Sequence, residues 1–140
     1  MPRILLIEDD DELRKVIAQS LEHAGHEVSQ AADGRQGLDI FHVANFDLVL
    51  TDLVMPGKEG VETIIELRRE NPDLKIIAMS GGMPRSSFYL NLAGHLGAQR
   101  TLAKPFTPTE LLGVINEVLA LPPEPPKLRG GSTPPMPPKK

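Results

Sequence analysis

The 140 residues suit one domain with a sizeable buried core, and 40% hydrophobic with 24% charged content is ordinary for a water-soluble globular chain. With no cysteine, disulfide frameworks, thiolate nucleophiles and thiolate metal sites are excluded. Residues 121–140 carry four basic side chains and one acidic, +3, so the first 120 residues carry −7 of the total −4; a body this acidic is a poor candidate for direct nucleic-acid binding.

Met1-Pro2-Arg3 leads into only four apolar residues before Glu8, too few for a signal peptide or membrane span, so the expected location is cytoplasmic with no membrane partner. That run, Ile4-Leu5-Leu6-Ile7, predicts the first strand. Leu13, Val16, Ile17, Leu21 and Ala24 then recur at helical spacing, with Gly25 at the stop. A strand with thin apolar content is expected at Glu27 to Ala31. Asp33-Gly34 opens a helix carrying Leu38 and Phe41, and strand three is Asp47 to Thr51. Val61, Ile64, Ile65 and Arg68 mark a third helix, which Asn71-Pro72 ends because proline disfavours helical geometry before it. Strand four is Leu74 to Met79, and a fourth helix over about Ser86 to Leu96 carries Phe88, Leu92 and Leu96. After a short strand at Arg100 to Ala103, Thr107-Pro108-Thr109-Glu110 is a capping box with proline in the first helical position. Leu111, Leu112, Val114, Ile115, Val118 and Leu119 give that last helix its buried face.

Five alternations of strand and helix imply a doubly wound α/β fold, a parallel five-stranded sheet with helices on both faces. Residues 1–120 are expected to form this domain. Residues 121–140 hold eight of the fourteen prolines and Gly130-Gly131-Ser132-Thr133, and read as a basic, Pro-rich extended or disordered tail. Its PxxP spacing would suit a binding partner, but composition favours an uninstructive tail.

The ends of these strands carry the chemistry. Glu8-Asp9-Asp10 follows strand one, Asp52 strand three, Ser80-Gly81 strand four and Lys104-Pro105 strand five. In an open parallel sheet the carboxyl ends lie side by side and build the site. Glu8, Asp9 and Asp52 are oxygen ligands suited to Mg²⁺. Lys104 and the Ser80 hydroxyl can stabilise phosphoryl oxygens, and Gly81 leaves room for a ligand against the backbone.

In these residues the chain resembles a receiver domain of the two-component response regulators, CheY-like in fold. The resemblance rests on Ile4 to Asp10, on Asp47 to Gly57 through Gly60, on Ser80-Gly81 and on Lys104-Pro105-Phe106, and covers about residues 2–120. It implies strand order 2-1-3-4-5 and a phosphoacceptor, Asp52, served by a sensor histidine kinase or phosphotransfer protein. Glu8 and Asp9 become the acidic pair for Mg²⁺, with Asp9 and Asp52 direct ligands and the Val54 backbone carbonyl completing the set. Ser80 becomes the switch hydroxyl, and Lys104 the ion-pair partner of the phosphoryl group, which Gly81 also contacts. The Lys104-Pro105 bond is expected to be cis. The chain would be a phosphoprotein signalling through an unknown downstream protein, as a monomer or phosphorylation-dependent dimer, and not an enzyme.

One departure is Thr101, where receivers commonly carry an aromatic switch residue three positions before the lysine. Tyr89 is not assumed to replace it, so the switch region, Ser80 and Thr101, is expected to work through shifts around Ser80 to Tyr89. Val54 and Gly82, two residues past Asp52 and Ser80, cannot orient a water, and a long-lived phosphoryl group follows.

Asp10 is expected to cap the first helix. His23, His26, His42 and His95 lack ligand spacing or a nucleophile and are read as surface or helix-end residues. Gly57 to Gly60 lacks the spacing of a phosphate loop. The alternative from another class, an aspartyl-phosphate-type hydrolase, would commonly need a second Asp where Val54 stands. A degenerate receiver acting only as a binding module would not need all five site residues.

Overall fold

Ile4, Leu5, Leu6 and Ile7 are all fully buried, because their strand lies inside the sheet with helices over both faces. The computed structural model describes residues 1–53, 59–81 and 94–122. Its strands are β1 (Arg3–Ile7), β2 (Glu27–Ala31), β3 (Leu48–Asp52), β4 (Lys75–Gly81) and β5 (Arg100–Lys104), parallel and ordered β2-β1-β3-β4-β5. The helices are α1 (Asp11–His23), α2 (Gly34–Phe41), α3 (Glu59–Glu70) and a C-terminal helix, Pro108–Leu119. This is the doubly wound fold that the alternation implies, with the strand order that the resemblance implies.

The period of two along each strand divides the core. Ile4 and Leu6, with Leu48, Leu50, Ile77 and Met79, pack against α1 and the C-terminal helix. Leu5 and Ile7, with Val49, Ile76 and Ala78, face Ile64 and Leu67 of α3. The thin apolar content of β2 has its reason in position: among the described residues it is an edge strand, paired only with β1.

Helix starts follow their caps. Asp10 accepts from the Leu13 amide at 3.0 Å, Asp33 from the Gln36 amide at 2.8 Å, and both bonds of the Thr107–Glu110 capping box are present. Gly25, at φ +99°, takes the left-handed conformation just past the end of α1.

Several boundaries and faces differ from those predicted. Val16 is 54% exposed and Ala24 is exposed, so the buried stripe of α1 is Ile17, Ala18 and Leu21 with Leu13 beside it. Ile65 of α3 also points outward, and Leu67 takes its place in the core. Strand four runs on through Ser80 and Gly81, because both pair with β5. The predicted fourth helix lies mostly outside the described residues, including Phe88, Tyr89 and Leu92; Gly94 and His95 are helical. The tail beyond Pro122 lies outside them too. Among the described residues no helix is long and apolar enough to cross a membrane.

Candidate functional site

Parallel register brings the chemistry together. Ile7 stands beside Thr51, Asp52 beside Met79 and Gly81 beside Lys104, so the residues at these strand ends share one rim of the sheet. One carboxylate oxygen from each of Glu8, Asp9 and Asp52 lies within 4.8 Å of the others, close enough to share one cation. Asp9 is exposed, whereas Glu8 and Asp52 are buried to 1% and 4% exposure.

Lys104 reaches this group from β5. Its Nζ donates to Glu8 Oε1 at 2.8 Å and to Asp52 Oδ2 at 3.2 Å. Gly81 makes that reach possible: a Cβ there would come within 2.6 Å of Lys104 Cβ. The Lys104-Pro105 bond is cis, as the resemblance implies. Ser80, fully buried, has a hydroxyl with no hydrogen-bond partner among the described residues. A buried polar atom without a partner is costly, and an incoming phosphoryl oxygen would satisfy it. The donor set and this hydroxyl fit a divalent cation with a phosphoryl group.

Electrostatics point the same way. Burial pushes the Glu8 carboxyl from 4.5 up to about 7; Asp52 adds to the rise, and the bond from Lys104 opposes it. Burial would lower Lys104, yet its bond to Glu8 and the charges of Asp52 and Glu8 outweigh that and raise it. The Glu8 rise comes chiefly from burial with the Asp52 charge added, whereas the Lys104 rise comes from its two carboxylate partners against burial. Buried Glu8 is thereby the carboxyl of this group that favours its neutral form.

Thr101 lies in β5 beside Ala78, half-buried. Val54 and Gly82 lie outside the described residues. Two features are not legible from motif spacing. Gly60 presses α3 against the strand end so closely that a Cβ would collide with the carbonyl oxygens of Leu53 and Asp52. Arg14 curls back from α1 to donate to the Glu8 carbonyl at 2.8 Å. The Asp11/Arg14 spacing of three is the one sequence signal for the second.

The strand order and the acidic cluster at this rim are those of a CheY-like receiver fold. The response regulator receiver domain family matches residues 4–116, and the chain belongs to it. Among curated relatives it is 37% identical over 117 residues to the probable transcriptional regulator ycf27 of Porphyridium aerugineum, covering 84% of this chain and 48% of the relative. It is 33% identical over 120 residues to the response regulator receiver protein CpdR of Brucella abortus, covering 85% and 98%. The chain thus spans about half the length of the transcriptional regulators that it matches first. A CheY-like receiver domain structure from Methanospirillum hungatei JF-1 superposes with a TM-score of 0.76 at 32% identity, covering 85% of this chain and 94% of that one.

Proposed function

We propose that this receiver domain takes a phosphoryl group on Asp52 from a histidine kinase or phosphotransfer protein and signals through a phosphorylation-dependent change of its binding surface. The observation that carries this is the convergence of Glu8, Asp9 and Asp52 within 4.8 Å, with Lys104 donating to Glu8 and Asp52. In the reaction an Asp52 carboxylate oxygen forms a bond to phosphorus. The phosphorus–nitrogen bond of the donor breaks, and the departing imidazole keeps the electron pair and takes up a proton. Lys104 moves its hydrogen bonds to the new phosphoryl oxygens, and the Ser80 hydroxyl gains a partner that it lacks among the described residues. Gly81 keeps the backbone beside them open.

Glu8, Asp9 and Asp52, with the Val54 carbonyl, would hold Mg²⁺. When bound, that ion offsets carboxylate charge and orients a phosphoryl oxygen. With Thr101 in the place of an aromatic residue, the switch does not use an aromatic flip at that position; the residues from Gly82 to Tyr89, where a shift is expected, lie outside the described residues. We assign the work to residues 1–120 in the cytoplasm, without enzymatic turnover of a separate substrate; the transcriptional regulation named in the longer relatives is not assigned to this domain.

The test is intact mass after incubation with Mg²⁺ and a small phosphodonor. Wild type is expected to gain one phosphoryl group, and Asp52→Asn or wild type in EDTA none. No gain in wild type, together with no Mg²⁺-dependent binding of beryllofluoride, would overturn the proposal.

A further inference from the structure

Arg14 has a charged head that phosphoryl transfer as described does not use, yet its side chain is only 14% exposed. An arginine in the first turn of a surface helix ordinarily extends its head into water. This one folds back toward the sheet. Its Nη1 donates to the Glu8 carbonyl at 2.8 Å, while Nη2 pairs with Asp11 at 2.7 Å. That carbonyl belongs to the peptide joining Glu8 to Asp9. The same short loop is held by the Glu8 amide, which donates to the Ala31 carbonyl at 3.0 Å, and by the Asp10 amide, which donates to Glu8 Oε2 at 3.1 Å. Of these restraints, Arg14 is the one that ties the Glu8–Asp9 peptide to α1.

We propose that Arg14 is a positioning residue of the cation site, holding the Glu8–Asp9 peptide so that the Asp9 carboxylate stands where Glu8 and Asp52 can share an ion with it. This rests on reading those three carboxylates as the cation ligands. Two effects of opposite sign meet at Arg14. As a bare positive charge it would repel Mg²⁺, so its removal would tighten binding. As a support it pre-orders the ligands, so its removal weakens binding. Asp11, in direct contact, cancels much of the charge, which leaves the support dominant.

The experiment is calorimetric titration of the full chain with Mg²⁺ alone, for wild type, Arg14→Ala, Arg14→Lys and Asp11→Asn. Phosphoryl uptake is then followed as a function of Mg²⁺ concentration. Arg14→Ala is expected to raise the Mg²⁺ dissociation constant by roughly tenfold, the cost usual for residues that orient metal ligands, with uptake restored at saturating Mg²⁺. Arg14→Lys should recover part of the affinity, because an ammonium can still donate to the carbonyl. Asp11→Asn should weaken binding less than Arg14→Ala. Unchanged or tighter Mg²⁺ binding in Arg14→Ala would overturn the proposal, as would uptake lost at saturating Mg²⁺ with the affinity intact. If Arg14→Ala does not fold, Arg14→Lys and Asp11→Asn decide the matter, and wild-type affinity in both would overturn it. The titration needs no phosphodonor. A wild type that binds Mg²⁺ but takes up no phosphoryl group would therefore count against the receiver reading, while the affinities still judge Arg14.

Discussion

Glu8 is the residue on which charge, burial and pH meet. Its carboxyl is raised from 4.5 to about 7 in the folded protein, so folding favours the protonated form. The resulting stability is fully present below about pH 4.5 and is lost as pH rises through about 7, a change of about 3 kcal/mol at most. Without divalent cations, urea unfolding of wild type minus that of Glu8→Gln should therefore show wild type losing ground between pH 4.5 and 7. Equal pH profiles for the two would refute this. On the proposed reading of the site, Mg²⁺ would compete with the same proton. Its affinity is expected to fall as pH drops below about 7, and binding at pH 6 should release a proton, which calorimetry in buffers of different ionisation enthalpy would detect. The types and order of these site residues were legible in the chain. The share of charge that each carries was not, because Lys104 and Glu8 meet across 96 residues, and burial, their hydrogen bond and the charge of Asp52 together set the balance.

At the scale of elements, two positions separate the site from its scaffold. Gly60 lets α3 sit directly on the end of β3, with no room for a Cβ between them. Gly60→Ala should destabilise the domain by roughly 1–3 kcal/mol through overpacking and slow phosphoryl uptake by shifting the Asp52 backbone. Chemical unfolding and intact-mass kinetics would check both, and a neutral result in each would contradict the close contact. Thr107 caps the C-terminal helix away from that contact. Thr107→Ala should cost about 1 kcal/mol of stability and leave the rate of phosphoryl uptake unchanged. The caps at Asp10, Asp33 and Thr107 were readable locally because a cap satisfies amides two or three residues ahead. The outward turn of Val16 and Ile65 was not, since helical spacing admits more than one apolar stripe and packing against the sheet selects one.

For the molecule as a whole, the core closes through Ile115 and Val118 of the C-terminal helix, whose end is tied down by Lys75, Nζ donating to the Leu119 and Leu121 carbonyls. Removing residues 123–140 should therefore leave the thermal midpoint and phosphoryl uptake on Asp52 unchanged. A clear loss of either would make the tail part of the working domain.

The sequence by itself determined the alternation of strand and helix, the central strands and the order of the acidic, hydroxyl and lysine residues. It could do so because continuous apolar runs such as Ile4 to Ile7 suit only strands buried on both faces. Only the tertiary structure decided that β4 continues through Ser80 and Gly81, that Gly60 must lack a side chain, that Arg14 bends back to the Glu8 carbonyl, and which carboxylates Lys104 joins. These depend on neighbours far along the chain, and their energies arise where buried groups must find partners in the space that the assembled sheet leaves them.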